Sequence, residues 1–238
     1  MSKLASDTAM VMAAGMGKRM RPLTATQPKP MVRVAGKPLV DHALDRLAAA
    51  GIAKAVVNVH YLADSLEAHV KDRQAPSVVI SDERDELLET GGGLVKAQHH
   101  LPDTFFCLNS DNIWLDGPRD CFADLSAMWD DEKMDALLLL VPHKGAHNFN
   151  GKGDFHIDPF GRLSRRATGR IAPYIYSGIQ LVSKRLLRDA PHGAFSTNVL
   201  WSRAMEEGRL FGIPFTGKWF EVGTPDAIKP TEAALRNV

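Results

Sequence analysis

Two glycines and a run of cations are the first residues in this chain whose types and spacing could do chemistry. The apolar run from Met10 to Ala14 leads into Gly15-Met16-Gly17, then Lys18, Arg19 and Arg21, and later Lys29 between Pro28 and Pro30. From Thr8 to Val40 the chain carries six cations and no Asp or Glu, although its net charge is only +1. A strand that empties into a glycine turn lets backbone N–H groups approach a ligand closely. Guanidinium and ammonium groups beside such a turn suit phosphate oxygens. The expected site is a polyphosphate cradle. Two common phosphate loops are excluded. Met20 stands where the dinucleotide fingerprint needs its third glycine, and no Gly-Lys-Ser/Thr follows at Walker A spacing.

Three later stretches add candidates. Phe105 to Leu108 reads as a buried strand ending in Asn109-Ser110-Asp111-Asn112. A carboxylate at such a tip is well placed to hold Mg²⁺, which favours one or two carboxylates plus phosphate oxygens and water. Leu88-Glu89-Thr90-Gly91-Gly92-Gly93 precedes an expected helix from Leu94 to His99, and its glycines allow close backbone approach. Trp219 to Pro225 reads as a strand, turn and helix start, with Thr224 as N-cap, Pro225 in the first turn and Glu221 at the strand end. His143 and His147 have the spacing of helical metal ligands, but the Gly and Pro around them argue against a helix, so no zinc site is expected. His60 receives no role.

The elements that must position these residues follow an α/β rhythm. Leu39 to Ala48 has a helical apolar stripe, Lys54 to Val59 is a buried strand, Leu62 to Lys71 is a helix and Val78 to Ile80 another strand. Strand, helix, strand, helix, strand favours a sheet of mainly parallel strands flanked by helices. Ligands in such sheets gather outside the carboxyl ends of the strands, where each candidate stretch begins. Ala123 to Trp129 is helical and Leu137 to Val141 another central strand. From His143 the chain turns polar and glycine-rich. A hairpin (154–157 and 162–166) and a long strand (173–182) then read as a small antiparallel substrate lobe. Thr197 to Glu207 is a helix and Leu210 to Pro214 a strand. The whole reads as a single domain: a part carrying the polyphosphate cradle over about 1–141, a substrate lobe over about 142–182 and a closing segment over 183–238.

Composition excludes several classes. The chain is 45% apolar and 24% charged, ordinary for a globular protein, and its near-neutral balance gives no reason to invoke nucleic acid or an anionic membrane. No apolar stretch approaches spanning length. No secretory leader is expected, since Asp7 precedes the early apolar run. Cys107 and Cys121 make no metal spacing, and a reducing, cytoplasmic setting is expected.

The set Gly15-x-Gly17-x-Arg19 and Pro28-Lys29-Pro30 resembles the signature of the sugar-1-phosphate nucleotidyltransferases. The resemblance extends through Glu89 to Gly93, Gly151 to Phe155, Ser177-Gly178-Ile179 and Gly217 to Thr224, essentially the whole chain. It implies a Rossmann-like mixed sheet and transfer of a nucleotidyl group from a nucleoside triphosphate to a sugar 1-phosphate, with release of pyrophosphate. By resemblance, Arg19 and Lys29 are catalytic: Arg19 holds the departing pyrophosphate and Lys29 the α-phosphate and incoming phosphate. Ala13, Ala14, Gly15, Gly17, Glu89, Gly92 and Asn109 would meet the nucleotide, and Gly153, Asp154 and Ser177 the sugar. Asp111 and Glu221 would hold Mg²⁺, although the family has aspartate where Glu221 stands. Within the family the matching pieces imply UTP as donor and N-acetylmuramate 1-phosphate as acceptor. The Glu-Lys-Pro of many thymidylyl- and guanylyltransferases is absent from Leu163 to Ala167. Guanylyl transfer to mannose 1-phosphate, thymidylyl transfer to glucose 1-phosphate and a non-catalytic nucleotide-sugar sensor are the alternatives.

Overall fold

The central strands are apolar on both faces, which demands helices on each side of the sheet. In β1 (Thr8–Met12), Ala9 and Val11 enter one buried cluster and Met10 the other. The computed structural model describes residues 3–236. After β1 come the short strands β2 (Arg33–Val34) and β3 (Lys37–Pro38), then α1 (Leu39–Ala49), β4 (Lys54–Val59), α2 (Ala63–Val70) and β5 (Ser77–Asp82). They are followed by α3 (Glu89–Ala97), β6 (Thr104–Asn109), β7 (Asn112–Leu115), α4 (Cys121–Met128), β8 (Ala136–Pro142) and β9 (Ala146–His147). The hairpin β10 (Phe155–Ile157) and β11 (Leu163–Arg165) precedes β12 (Tyr174–Ser183). Then follow α5 (Thr197–Glu206), β13 (Leu210–Pro214), β14 (Lys218–Glu221) and α6 (Ile228–Arg236).

Strands β6, β1, β4 and β5 lie side by side and parallel. β12 runs antiparallel to β6 and to β8, β13 pairs parallel with β8, and β10–β11 attaches at Phe155 opposite Tyr174. The result is one mixed sheet of nine strands. Successive side chains point to opposite faces. Phe106 therefore packs under α1, α2 and α4, while Phe105 packs under α3 and α5. Both rings are fully buried, and each contributes roughly 1.5–3 kcal/mol of burial.

Three elements differ from the sequence reading. The long strand expected in a separate lobe lies inside the main sheet, because Ile175 and Ser177 to Ser183 are all buried and need neighbours on both sides. Helix α3 begins at Glu89, five residues before Leu94, and takes in all three glycines. A helix disfavours glycine by about 1 kcal/mol per residue. Here a side chain would collide: a Cβ at Gly91 would lie 2.3 Å from the Phe195 ring, and one at Gly92 2.4 Å from the Gly193 carbonyl. The glycines let α3 press onto the 193–195 segment. β7 was not expected at all. It pairs with β14 in a second, three-stranded sheet that also holds β9.

Candidate active site

Parallel strands end on the same rim, so β1, β4 and β6 deliver Ala13, Asn58 and Asn109 to one cleft of about 440 Å³. Met12 to Gly15, Leu87, Glu89, Thr90, Lys29 and Pro30 line it together with Asn109, Ser110, Asp111 and Ser196. A second, more polar chamber continues from it, formed by Gly15 to Met20 with Lys29, Asp111 and Gly223. Gly15, Lys29, Leu87 and Asp111 belong to both, so the junction carries one cation and one carboxylate.

The glycines of the cradle do different jobs. Gly17 has φ +60°, and a Cβ there would sit 2.9 Å from both Lys29 and Thr24. It is a packing and conformational glycine. Nothing lies within 4 Å of a Cβ placed on Gly15, which borders open cleft. Its backbone is the part a ligand can approach. Ala13 and Ala14 are nearly buried behind it. Met20, where the dinucleotide motif would have glycine, is fully buried with Leu39, Phe220 and Val222. It anchors the loop to β14.

Each candidate catalytic cation faces a candidate metal carboxylate. Lys29 Nζ donates to Asp111 Oδ2 at 2.5 Å, with the lysine side chain only 13% exposed. Arg19 Nη1 lies 3.7 Å from Glu221 Oε1, and the arginine is 68% exposed. Glu221 pairs with Asn112 in the β14–β7 register, so it lies across from the residue next to Asp111. Among the described residues no cluster of three His, Cys, Asp or Glu could hold a metal; Asp111 lines both chambers, Glu89 lines the cleft, and Glu221 lies beside Arg19 at the edge of the second chamber.

The remaining candidates divide. Glu89 lines the cleft with φ +56°, a left-handed conformation that costs a non-glycine residue of order 1–3 kcal/mol. Strain kept at a cleft wall points to a ligand contact. Gly92 does not line the cleft: it is buried under Gly193, and its N–H donates to the Phe195 carbonyl. The cleft wall here is Glu89 and Thr90, with the glycines behind them. The three expected sugar contacts do not border either chamber. Ser177 is fully buried; its carbonyl accepts from Asn112 Nδ2 and Trp219 Nε1, both at 2.8 Å, tying together the strands that carry Asp111 and Glu221. Gly153 is buried at φ +76°, where a Cβ would meet the Ala172 carbonyl at 2.1 Å. Asp154 Oδ2 accepts from the Tyr176 amide at 2.9 Å, which fixes the start of β12.

Sequence reasoning missed the chamber that adjoins the main cleft. Tyr176, Gln180, Asn198 and Trp201 line it, sharing Met12, Thr90, Asn109 and Ser196 with the larger space. The Trp201 indole donates to Gln180 Oε1 at 3.1 Å and packs edge-on against Tyr176. Burial pushes the Tyr176 hydroxyl well above the usual tyrosine range, so it stays a neutral donor. Ser177-Gly178-Ile179 stands out in the sequence, but that its neighbour Tyr176 lines a chamber depends on the facing of β12. Ser196 and Thr197 gave no local signal. They reach the cleft because the Thr197 N–H donates to Thr90 Oγ1 at 2.9 Å.

Comparison with known proteins agrees with this geometry. The model of the nucleotidyl transferase family matches residues 8–150. The chain is 43% identical to the N-acetylmuramate alpha-1-phosphate uridylyltransferase of Caulobacter vibrioides, across 97% of this chain and 98% of that one. It is 33% identical to the protein of the same name from Neisseria meningitidis, across 94% and 96%. HddC from Yersinia pseudotuberculosis, solved with GMP-PN, superposes with a TM-score of 0.78 at 22% identity, across 96% of this chain and 99% of that one. The inositol-1-phosphate CTP transferase from T. maritima also superposes at 0.78, with 17% identity and coverage of 98% and 96%. The two solved structures share the fold; the family match and the full-length relatives carry the assignment, and the chain belongs to the nucleotidyl transferase family.

Proposed function

We propose that the protein transfers a uridylyl group from UTP to N-acetylmuramate 1-phosphate, giving the UDP-sugar and pyrophosphate. The observation that carries this reading is the Lys29–Asp111 pair at the junction of the two chambers, in a chain that is 43% identical, end to end, to a protein named for that reaction. The base and ribose would lie between Ala13–Gly15 and Glu89–Thr90, and the triphosphate would run along Gly15 to Arg19. The sugar would enter the chamber of Tyr176, Gln180 and Asn198.

An oxygen of the acceptor phosphate attacks the α-phosphorus of the donor. The bond from that phosphorus to the bridging oxygen breaks, and pyrophosphate leaves with the electron pair. The nucleophile is already ionised at neutral pH, so no general base is required. Catalysis is then positioning and charge stabilisation. Lys29, held in the junction, meets both the α-phosphate and the incoming phosphate. Arg19 is exposed enough to move with the leaving pyrophosphate. Two carboxylates, one in the turn before β7 and one at the end of the strand paired with it, suit Mg²⁺, which takes one or two such ligands beside phosphate oxygens. Asp111 and Glu221 would hold it. When bound, the ion would offset triphosphate charge that two acids could not otherwise share.

The setting proposed is the cytoplasm, in a pathway that recycles peptidoglycan sugars. Cys107 and Cys121 are buried and unpaired, and no helix among the described residues is long and apolar enough to cross a membrane. Several nucleoside triphosphates crossed with several sugar 1-phosphates, reading pyrophosphate, test the substrate assignment. UTP with N-acetylmuramate 1-phosphate should be the best pair. A preference for GTP with mannose 1-phosphate would overturn it, and nucleotide binding without pyrophosphate release from any pair would indicate a sensor.

A further inference from the structure

Glu83 is a fully buried carboxyl outside the machinery described above. It follows β5 and lies behind the cleft, not in it. Its Oε1 accepts from Asn58 Nδ2 at 2.7 Å, while Oε2 is buried with no hydrogen-bond partner. Asn58 is 1% exposed, and its Oδ1 accepts from the Ala13 N–H at 2.6 Å. The orientation of this amide is forced. The Ala13 N–H can only donate, so oxygen must face it; the Asn58 NH₂ group then points away and needs an acceptor. Glu83 supplies that acceptor.

The same pair touches the opposite wall. A Cβ on Gly93 would lie 2.8 Å from Glu83 Oε1, 3.0 Å from Asn58 Nδ2 and 3.3 Å from Met12 Cε. Helix α3, which opens with Glu89 and Thr90, is thus seated directly on Glu83 and Asn58. The Glu83 carbonyl also accepts from the Glu86 N–H at 3.1 Å and lies 2.6 Å from His60 Nδ1, which ties down the loop leading to Leu87. Lys96 on α3 and His60 are the charged or titratable groups that act on the carboxyl.

We propose that Glu83 is a positioning residue for the nucleotide: through Asn58 it fixes the Ala13 backbone against α3 and so sets the width of the chamber between Ala13–Gly15 and Leu87–Thr90. It touches neither substrate nor reacting atoms. Its loss should therefore appear in nucleotide binding and leave the chemical step nearly untouched. The inference rests on the cleft being the nucleotide site, as in the function proposed above.

Exchanging donor and acceptor across the pair tests it. Asn58→Asp keeps an acceptor for Ala13 but sets carboxyl against carboxyl. Glu83→Gln keeps an acceptor for Asn58. In the double variant the glutamine amide donates to the new carboxylate at position 58, and the relay is remade with reversed polarity. The KM for the triphosphate that the parent turns over fastest should rise about tenfold or more in Asn58→Asp at pH 8, the scale of leaving one buried polar group badly paired. It should stay within about threefold of the parent in Glu83→Gln and return to that range in the double variant. The kcat should change by less than about threefold throughout. Calorimetric binding of the triphosphate without acceptor should give the same order, so the test survives even if the acceptor assigned above is wrong. An Asn58→Asp protein with parental KM would overturn the proposal. So would a double variant as impaired as Asn58→Asp, or melting temperatures that fall while nucleotide affinity does not move.

Discussion

Lys29–Asp111 and Arg19–Glu221 are chemically the same kind of pair and physically different ones. Lysine 29 is nearly enclosed and in contact with its carboxylate at 2.5 Å; Arg19 stands in solvent 3.7 Å from its partner. Opposite charges held close and shielded from water interact strongly. An exposed, loosely formed pair contributes on the order of 0–1 kcal/mol. The motif alone makes the two cations look equivalent. Their surroundings separate them: Lys29 is held against Asp111 at the junction of the two chambers, and Arg19 is a solvent-exposed charge on the wall of the second.

Substitutions can break or sharpen that contrast. The largest effect should come from Lys29→Met, which removes a fixed charge from the transferring phosphate. Such losses typically cost about 3–4 kcal/mol of barrier, or a hundredfold to a thousandfold in kcat. Stopped-flow assay of pyrophosphate at saturating substrates would read it, and near-normal turnover would remove Lys29 from the mechanism. Next, Glu221→Gln should raise the Mg²⁺ concentration needed for half-maximal rate by about tenfold, while Glu221→Asp, the acid of the wider family, should keep it near the parental value. Unchanged metal dependence in Glu221→Gln would leave Asp111 as the only protein ligand. Arg19→Met should be milder, about tenfold in kcat/KM, and increasing salt should narrow its gap from the parent because the exposed charge is screened.

Glu83 extends the comparison to a carboxyl with no cation within salt-bridge distance among the described residues, and here the expected effect is smallest. Burial is the main cause that raises its pKa above the ordinary glutamate range, with Asn58 pulling it partly back. A raised folded-state pKa favours the neutral form in the native protein. The associated stability is complete below about pH 4.3, where the unfolded chain's glutamate is also neutral, and is lost as pH rises through the folded value. Glutamine cannot ionise. The Tm of Glu83→Gln relative to the parent should therefore grow from about pH 4 upward and level off once Glu83 is ionised. A difference that is constant with pH, or that shrinks, would show that Glu83 carries no such penalty.

The sequence was readable where function and local backbone coincide. Gly15 to Lys29 is one continuous loop at a strand end, and Asp111 and Glu221 each follow a strand of strong pattern. The architecture was readable for the same reason: β1, β4 and β6 are apolar runs between clear helices. What could not be read depends on facing and on distant pairing. Gly91 to Gly93 look like a ligand turn, but they are helical because Phe195, about a hundred residues away, needs the space. Ser177 and Tyr176 are neighbours in one strand, and only the pairing of β12 shows that Tyr176 reaches the cleft. Asn58 falls inside the expected strand from Lys54 to Val59, yet its partner Glu83 emerges only when β4 and β5 are set side by side.

The contrast between the two cations is tested most directly by one comparison. Pyrophosphate release in a single turnover should be measured for the parent, Lys29→Met and Arg19→Met at saturating UTP, N-acetylmuramate 1-phosphate and Mg²⁺. The Lys29→Met rate should fall at least about tenfold further than the Arg19→Met rate, with both variants melting within a few degrees of the parent. Equal losses, or a larger loss at Arg19, would contradict the account.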